Sequence, residues 1–263
     1  MLTSYHVHST FSDGENSVGE MIRSAIDAGV DEVGVSDHLV LLAGDQTVDW
    51  SMSPAAIPRY FDAIAEASDD RITIKYGIEA DFDPKTAEEL RDLLQSHAFD
   101  YVIGSVHFLD GFPIDVDRKY WDELSETECN DVILGYWNRI AQMARSGLFD
   151  FAGHLDIYKK FGTMPTVDIS EAIITALDAI TQARMAVELN TSGWHKPIRE
   201  AYPSIAILRG CHKRGIPTLV TADAHKTQDI VRDFDRARQL LRNIGYTRQA
   251  TFKARNIINT DMI

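Results

Sequence analysis

Short runs of apolar and β-branched residues alternate along the chain with stretches in which apolar positions recur every three or four residues. The runs read as seven strands: Ser4 to His8, Glu32 to Ser36, Ile72 to Glu79, Tyr101 to Val106, Phe151 to His154, Met185 to Asn190, and Thr218 to Thr221. Stretches of helical period follow them, at roughly 18–28, 55–68, 84–96, 128–146, 169–183, 204–214 and 228–244. Ser17 with Glu20 spells a capping box, Asp83-Pro84 places a cap before a helix-opening proline, and Gly29, Gly147 and Gly215 stand where helices should stop. Strand–helix repetition at this spacing predicts an α/β fold: a parallel sheet with right-handed crossovers. Closed into a barrel, such a sheet collects its functional residues at the C-terminal ends of the strands. An open doubly wound sheet shares the alternation, so periodicity alone does not separate the two.

A length of 263 residues suits one barrel, so residues 1–263 are read as a single domain. Hydrophobic residues at 44% and charged residues at 25% are an ordinary globular balance. No apolar run is long enough to span a bilayer, and the opening MLTSYHVHSTFSDG lacks the regions of a signal peptide. A cytoplasmic location is expected, with Cys129 and Cys211 as free thiols. The formal charge of −14 argues against non-specific nucleic-acid binding. The expected partner is a small molecule rather than a nucleic acid or a membrane.

Each predicted strand ends in, or runs directly into, a polar residue able to bind a metal or a substrate. The first closes on His6-Val7-His8 with Asp13-Gly14 after it, and the second on Ser36-Asp37-His38. The third closes on Glu79, the fourth on His107, the fifth on His154 and the sixth on Glu188-Leu189-Asn190; the seventh leads into Asp223-Ala224-His225. Side chains two apart on a strand face the same side, so His6 and His8 can meet one metal. Of nine histidines, six fall at strand ends, which burial alone does not explain. His97 and His212 lie in helical stretches and read as surface or cap residues. The tryptophans are read mostly as core, although Trp50 and Trp121 fall in long segments, about 39–53 and 108–126, expected to fold over a substrate.

Nine candidate ligands exceed what one tetrahedral zinc takes, about four. They suit two or three ions sharing a carboxylate, and an imidazole–carboxylate set without thiolate allows Zn, Mn or Fe(II). Three dications would bring about six positive charges against three carboxylates, a centre that attracts a phosphate dianion despite the acidic surface. Metal-bound water ionises near neutral pH, and the cations offset charge on phosphoryl oxygens.

The segments HVHSTFSDG, GVSDH, YGIEADF, IGSVHF, AGHLD, ELNTSG and TADAH resemble, in this order, the motifs of the PHP (polymerase and histidinol phosphatase) superfamily, from His6 to His225. The resemblance implies a distorted (β/α)7 TIM-like barrel with three divalent metal ions. It assigns His6, His8, Glu79 and Asp223 to one metal, Glu79, His107 and His154 to a second, and Asp13, His38 and His225 to a third. SVHFLDGFPID, GHLDIYKKFG and the stretch from Lys196-Pro197 to Tyr202-Pro203-Ser204 resemble the histidinol-phosphate phosphatase branch. That implies hydrolysis of L-histidinol phosphate to L-histidinol and phosphate by a metal-bridging hydroxide.

Lys159 and Lys160 are candidates for gripping the phosphate, set against a reading as a solvated loop pair. His195, where the family often carries Arg, Lys196 and Asn190 are further substrate-binding candidates; a backbone-satisfying role is equally open for Asn190. Asp156 is the candidate catalytic acid for the leaving alkoxide, against quieter roles in orienting a ligand or meeting the substrate amine. The competing functions are a phosphoesterase for nucleotides or other small phosphate esters, and a metal-binding module without catalysis, whose lost ligands are not seen here.

Overall fold

The computed structural model describes residues 1–44 and 47–261. Seven parallel strands lie in sequence order around a barrel: Thr3–Ser4, Glu32–Val35, Thr73–Asp81, Tyr101–Ser105, Phe151–Ala152, Ala186–Asn190 and Thr218–Thr221. The ring closes between the first and last segments, where Val7 bridges Ala224 in parallel. There His8 N donates to Ala224 O (2.9 Å) and Ala224 N to His6 O (3.0 Å). This closure separates the barrel from the open sheet that shares its pattern.

Among the described residues, seven longer α-helices cover the outside, Val18–Asp27, Ile57–Glu66, Ala87–Gln95, Glu126–Arg145, Ser170–Ala183, Ile205–Lys213 and Phe234–Ile244, and a short eighth, Arg118–Asp122, lies in the segment after the fourth strand. The Ser17–Glu20 capping box forms as the sequence suggests. The helix after Asp83-Pro84 starts later, at Ala87, because Asp83 Oδ1 first closes a turn by accepting from Lys85 N (2.9 Å). None of the described helices is long and apolar enough to cross a membrane.

Several strands are shorter than their apolar runs, and the shortening is chemical. Strand one stops at Ser4 and strand five at Ala152, short of the histidines that follow. Strand two breaks at Ser36-Asp37 and resumes as His38–Leu39 against Glu79 and Ala80. The buried Asp37 carboxylate accepts from Ser9 N (2.8 Å), Ser9 Oγ (2.7 Å), Ser12 N (3.0 Å) and Ser12 Oγ (2.6 Å). Those four bonds fold the loop that carries Asp13. Gly14 lets this loop return over His8, since a Cβ there would lie 2.6 Å from the His8 carbonyl carbon.

The N-terminal end of the barrel is filled by aromatic rings. Tyr5, Tyr101, Phe151 and Phe252 contact one another with centroids 5.3–5.8 Å apart. Tyr101 occupies space that only glycine leaves open: a Cβ on Gly34 or Gly77 would lie 2.1–2.2 Å from its ring or hydroxyl. Phe252 comes from a C-terminal antiparallel hairpin, Arg248–Lys253 with Asn256–Asp261, absent from the strands read in the sequence. Its turn residues Ala254 and Arg255 both take positive φ (47° and 65°), as a two-residue hairpin turn requires. Arg255 then ties the hairpin to the barrel floor, through N to Asp100 O (2.8 Å) and its guanidinium to Asp150.

Candidate metal centre

Glu79, near the end of the third strand, is the hub of the C-terminal end. Its Oε2 faces His6 Nε2 (3.2 Å), His8 Nε2 (3.6 Å) and His38 Nδ1 (2.7 Å). Its Oε1 faces His154 Nε2 (2.8 Å) and His107 Nε2 (3.6 Å) and accepts from Ser105 Oγ (2.6 Å). Asp223 Oδ1 lies 3.1 Å from His8 Nε2 and 3.5 Å from His6 Nε2. Asp13 Oδ1 lies 3.2 Å from His225 Nε2 and 3.6 Å from His38 Nε2. All nine residues named from the strand ends therefore meet in one place.

They form four overlapping groups able to hold a metal ion: His8–Asp13–His38–His225, His6–Glu79–His154, His6–His8–Asp223 and His38–Glu79–His107. The grouping differs from a strict division by motif, because the His8 ring stacks between His38 (4.1 Å) and His225 (4.2 Å). The donor set fits cations. His6 Nε2, His8 Nδ1, His38 Nδ1, Glu79 Oε2 and His154 Nδ1 are buried without a hydrogen-bond partner. Even the close approach of His38 to Glu79 lacks hydrogen-bond alignment. Buried polar atoms are seldom left so, and five on the residues of one ligand cluster mark a place where another positive group belongs.

The charges agree. Burial opposes ionisation of Glu79, yet the imidazoles of His38, His6 and His107 hold its carboxyl well below the usual range. Asp223 is held low against burial by His6 and His8, and Asp13 by His225 and His38. His107 is pushed up to about 10, Glu79 and Asp81 outweighing its burial, and His225 to about 9 beside Asp13. His8, buried between two imidazoles, falls to about 3. Carboxylates that stay ionised beside a neutral imidazole are a ligand environment.

Other residues aim these donors. Glu188, buried on strand six, accepts from His6 Nδ1 (2.8 Å), from His154 N (2.6 Å) and from Thr221 Oγ1 (2.8 Å). Asp81 Oδ1 meets His107 Nδ1 at 2.9 Å, and the Asp223 carbonyl meets His225 Nδ1 at 2.9 Å. Each such bond leaves Nε2 pointing inward. Glu188, Asp81 and Asp37 are carboxylates inside strands or motifs; Asp81 stands two residues from the ligand Glu79 and Asp37 next to the ligand His38, spacings that would have found them, while Glu188 has no ligand beside it in sequence.

Above the cluster opens a cavity of about 460 Å³. Its wall carries Lys160, Lys196, Lys226, His195 and Arg232, with Asp115 and Asp229 among them. Trp50 lies edge-on to His38 (4.8 Å) and His107 (5.5 Å) and also lines the cavity; residues 45–46 of the same segment lie outside the described residues. Trp121 is instead core: its Nε1 donates to Ile114 O (2.8 Å), bracing the loop of Asp115.

Three sequence expectations need correction. Lys159 does not reach the cavity: it is buried, with Nζ 2.6 Å from Glu200, 3.0 Å from Asp156 and 3.0 Å from Ala201 O. Its neighbour Lys160 turns the other way and donates to Asp115 Oδ2 (3.0 Å) and Asp115 O (2.6 Å). Asp156 is likewise outside the cavity lining, buried at positive φ (64°), with Oδ2 accepting from Ser204 N (2.9 Å). Burial pushes its carboxyl up to about 7 against the pull of Lys159, but it faces protein rather than a leaving group. Asn190 is buried too, donating to Glu188 Oε1 (2.9 Å) and Asp223 Oδ2 (3.3 Å), so it positions Asp223 and lies off the cavity lining.

Arg232 and Asp115 were not singled out from the sequence: Arg232 falls in the stretch 228–244 read as helical, and Asp115 closes the motif SVHFLDGFPID without a role assigned to it. Arg232 pairs with Asp229 (2.8 Å).

Comparison with known proteins agrees with this geometry. The model of the PHP domain matches residues 4–192. The chain is 33% identical to a probable histidinol-phosphatase of Deinococcus radiodurans, over 90% of this chain and 91% of the relative. It is 26% identical to a histidinol-phosphatase of Lactococcus lactis, over 96% and 95%. The crystal structure of histidinol phosphate phosphatase from Lactococcus lactis, complexed with zinc, L-histidinol and phosphate, superposes with a TM-score of 0.79 at 24% identity, covering 98% of both chains.

Proposed function

Since the chain belongs to the PHP domain family, we propose that it is a metal-dependent histidinol-phosphate phosphatase, hydrolysing L-histidinol phosphate to L-histidinol and phosphate. The observation that carries the reading is the convergence of six imidazoles and three carboxylates in one cluster centred on Glu79, at the floor of a cavity whose wall bears both signs of charge. The relatives named above supply the substrate.

The donors suit three divalent ions: His6, His8, Glu79 and Asp223 would hold the first, Glu79, His107 and His154 the second, and Asp13, His38 and His225 the third. Zinc, manganese and ferrous iron all accept this imidazole–carboxylate set. Such ions, when bound, make water a nucleophile at neutral pH and offset charge on the phosphoryl oxygens.

This chain's own groups do the rest. Arg232 offers a planar donor fork to phosphate oxygens, which lysine does not. Asp115, fixed by Lys160, stays ionised under the charges of Lys160 and His107 despite its burial, and is placed to accept the substrate ammonium. Trp50 gives a flat wall against which an imidazole ring packs. Phosphate release from L-histidinol phosphate, nucleoside monophosphates and sugar phosphates tests the reading. L-Histidinol phosphate is expected to lead in kcat/KM by orders of magnitude, and a comparable lead for a nucleotide would remove it.

A further inference from the structure

A phosphate monoester of an alcohol expels an alkoxide, which departs slowly unless a proton arrives as the bond breaks. Asp156, the carboxyl next to the ligands in sequence, is turned away into protein. The phosphoryl group is drawn to the ligand cluster at the cavity floor, so the alcohol points toward the mouth, and the proton donor must stand there.

Few cavity groups can fill that post. Lys160 is committed to Asp115 and Lys226 to Glu15 (2.7 Å). Burial and the nearby Asp115 and Asp156 charges push the Tyr202 phenol far above its usual range. A lysine ammonium surrenders its proton far less readily than an imidazolium, which sets Lys196 aside. His195 is the one imidazole lining the cavity, among the described residues, that is not in the ligand set.

Its seating is specific. Nε2 lies 2.6 Å from Asp233 Oδ2, the pairing of an acid–base imidazole with an orienting carboxylate. Asp233 is held at positive φ (61°), costly for a residue with a side chain and characteristic of functional positions. Two further contacts join the same loops: Thr191 Oγ1 donates to Arg232 O (2.8 Å), and the Arg236 guanidinium lies 3.8 Å over the Trp194 ring. The turn Ser192–His195 is thereby fixed to the start of the helix Phe234–Ile244.

We propose that His195, oriented by Asp233, protonates the departing alcohol oxygen. As the ester P–O bond breaks, its electron pair passes to the alcohol oxygen, which takes the proton from Nδ1 of the imidazolium. Nε2–H keeps its bond to Asp233. Water forms the new P–O bond, and the proton it sheds returns to His195 through solvent, so ester and water become alcohol and phosphate with no change of oxidation state. This inference rests on the phosphatase reading.

The test compares L-histidinol phosphate with 4-nitrophenyl phosphate, whose leaving group departs without a proton, in the metal-loaded wild type, His195→Asn and Asp233→Asn. His195→Asn is expected to lose roughly 10²–10³-fold in kcat on L-histidinol phosphate, with KM nearly constant, and about threefold on 4-nitrophenyl phosphate. Asp233→Asn should show the same split at about a tenth of the size. Inorganic phosphate affinity by calorimetry and bound metal should stay at wild-type values. Equal losses on both substrates, weakened phosphate binding, or full activity on L-histidinol phosphate would overturn the role. If the wild type ignores L-histidinol phosphate but shows the split on glycerol phosphate, the substrate assignment fails and the role of His195 stands. A wild type inert to every ester defeats both.

Discussion

The two ends of this barrel bury polar groups in opposite ways. At the N-terminal end Tyr101 Oη donates to Tyr5 O (2.6 Å), the Tyr5 hydroxyl reaches Glu32, and Asp150 accepts from Val102 N (2.7 Å) and Arg255. Aromatic rings fill the space between them. At the C-terminal end, Glu79 Oε2 and ring nitrogens of His6, His8, His38 and His154 are buried with no partner. The first end pairs its tyrosines and carboxylates within the protein, leaving small hydroxyls such as Thr3 Oγ1 and Thr260 Oγ1 without a partner, whereas the second gathers unpartnered ligand atoms that suit cations. Stability and chemistry are thus assigned to different ends of the same strands, as parallel barrels permit. Glu188 and Asp37 let the second end persist, since they hold ligands in place from behind.

The contrast can be broken most strongly at its hub. Glu79→Gln should lower phosphatase kcat/KM by roughly 10²–10³-fold or more and release bound metal, measured by steady-state kinetics and elemental analysis. The opposite end answers in stability: Phe252→Ala should cost about 3–5 kcal/mol in denaturant unfolding, while metal content and KM hold. A Phe252→Ala protein that lost its metals at wild-type stability would erase the distinction. Glu188→Gln sharpens it, because Glu188 orients the ligands His6 and His154 from behind without lying in the metal groups itself. Metal affinity should fall about 10–100-fold with little loss of stability.

Asp156→Asn is expected to have the smallest effect on turnover, within about threefold, because the carboxyl faces Lys159 and Ser204 rather than the cavity. Its cost should appear as about 1–3 kcal/mol of stability. A loss of 10²-fold or more in kcat would restore Asp156 as the acid and displace His195.

Much of the catalytic end was legible in the sequence because its rule is simple: strand ends carry the chemistry, and nine donors at strand ends stand out against apolar runs. The seven longer helices were legible by their own periodicity, whereas the five-residue helix Arg118–Asp122 is too short to show one. What stayed hidden depends on direction rather than residue type. Lys159 and Lys160 are adjacent and alike, and only the 3-10 turn Ile157–Phe161 sends one inward to Asp156 and the other to Asp115. Arg232 sits within the stretch read as helical from 228, but the helix begins only at Phe234 and leaves Arg232 in the loop before it, while Asp115 sits in a loop without period. The closing hairpin lacked the Asn-Gly or Asp-Gly turn that announces one, using Ala254-Arg255 instead. His195 was visible as a candidate, but its partner Asp233 lies 38 residues away and is joined to it only by the fold.

Metal titration of the chelated protein, followed by phosphate release from L-histidinol phosphate, tests the central claim most directly. Activity should be absent after chelation and return as zinc or manganese is added, saturating only beyond one equivalent per chain. Full turnover by protein shown by elemental analysis to hold no transition metal would contradict it.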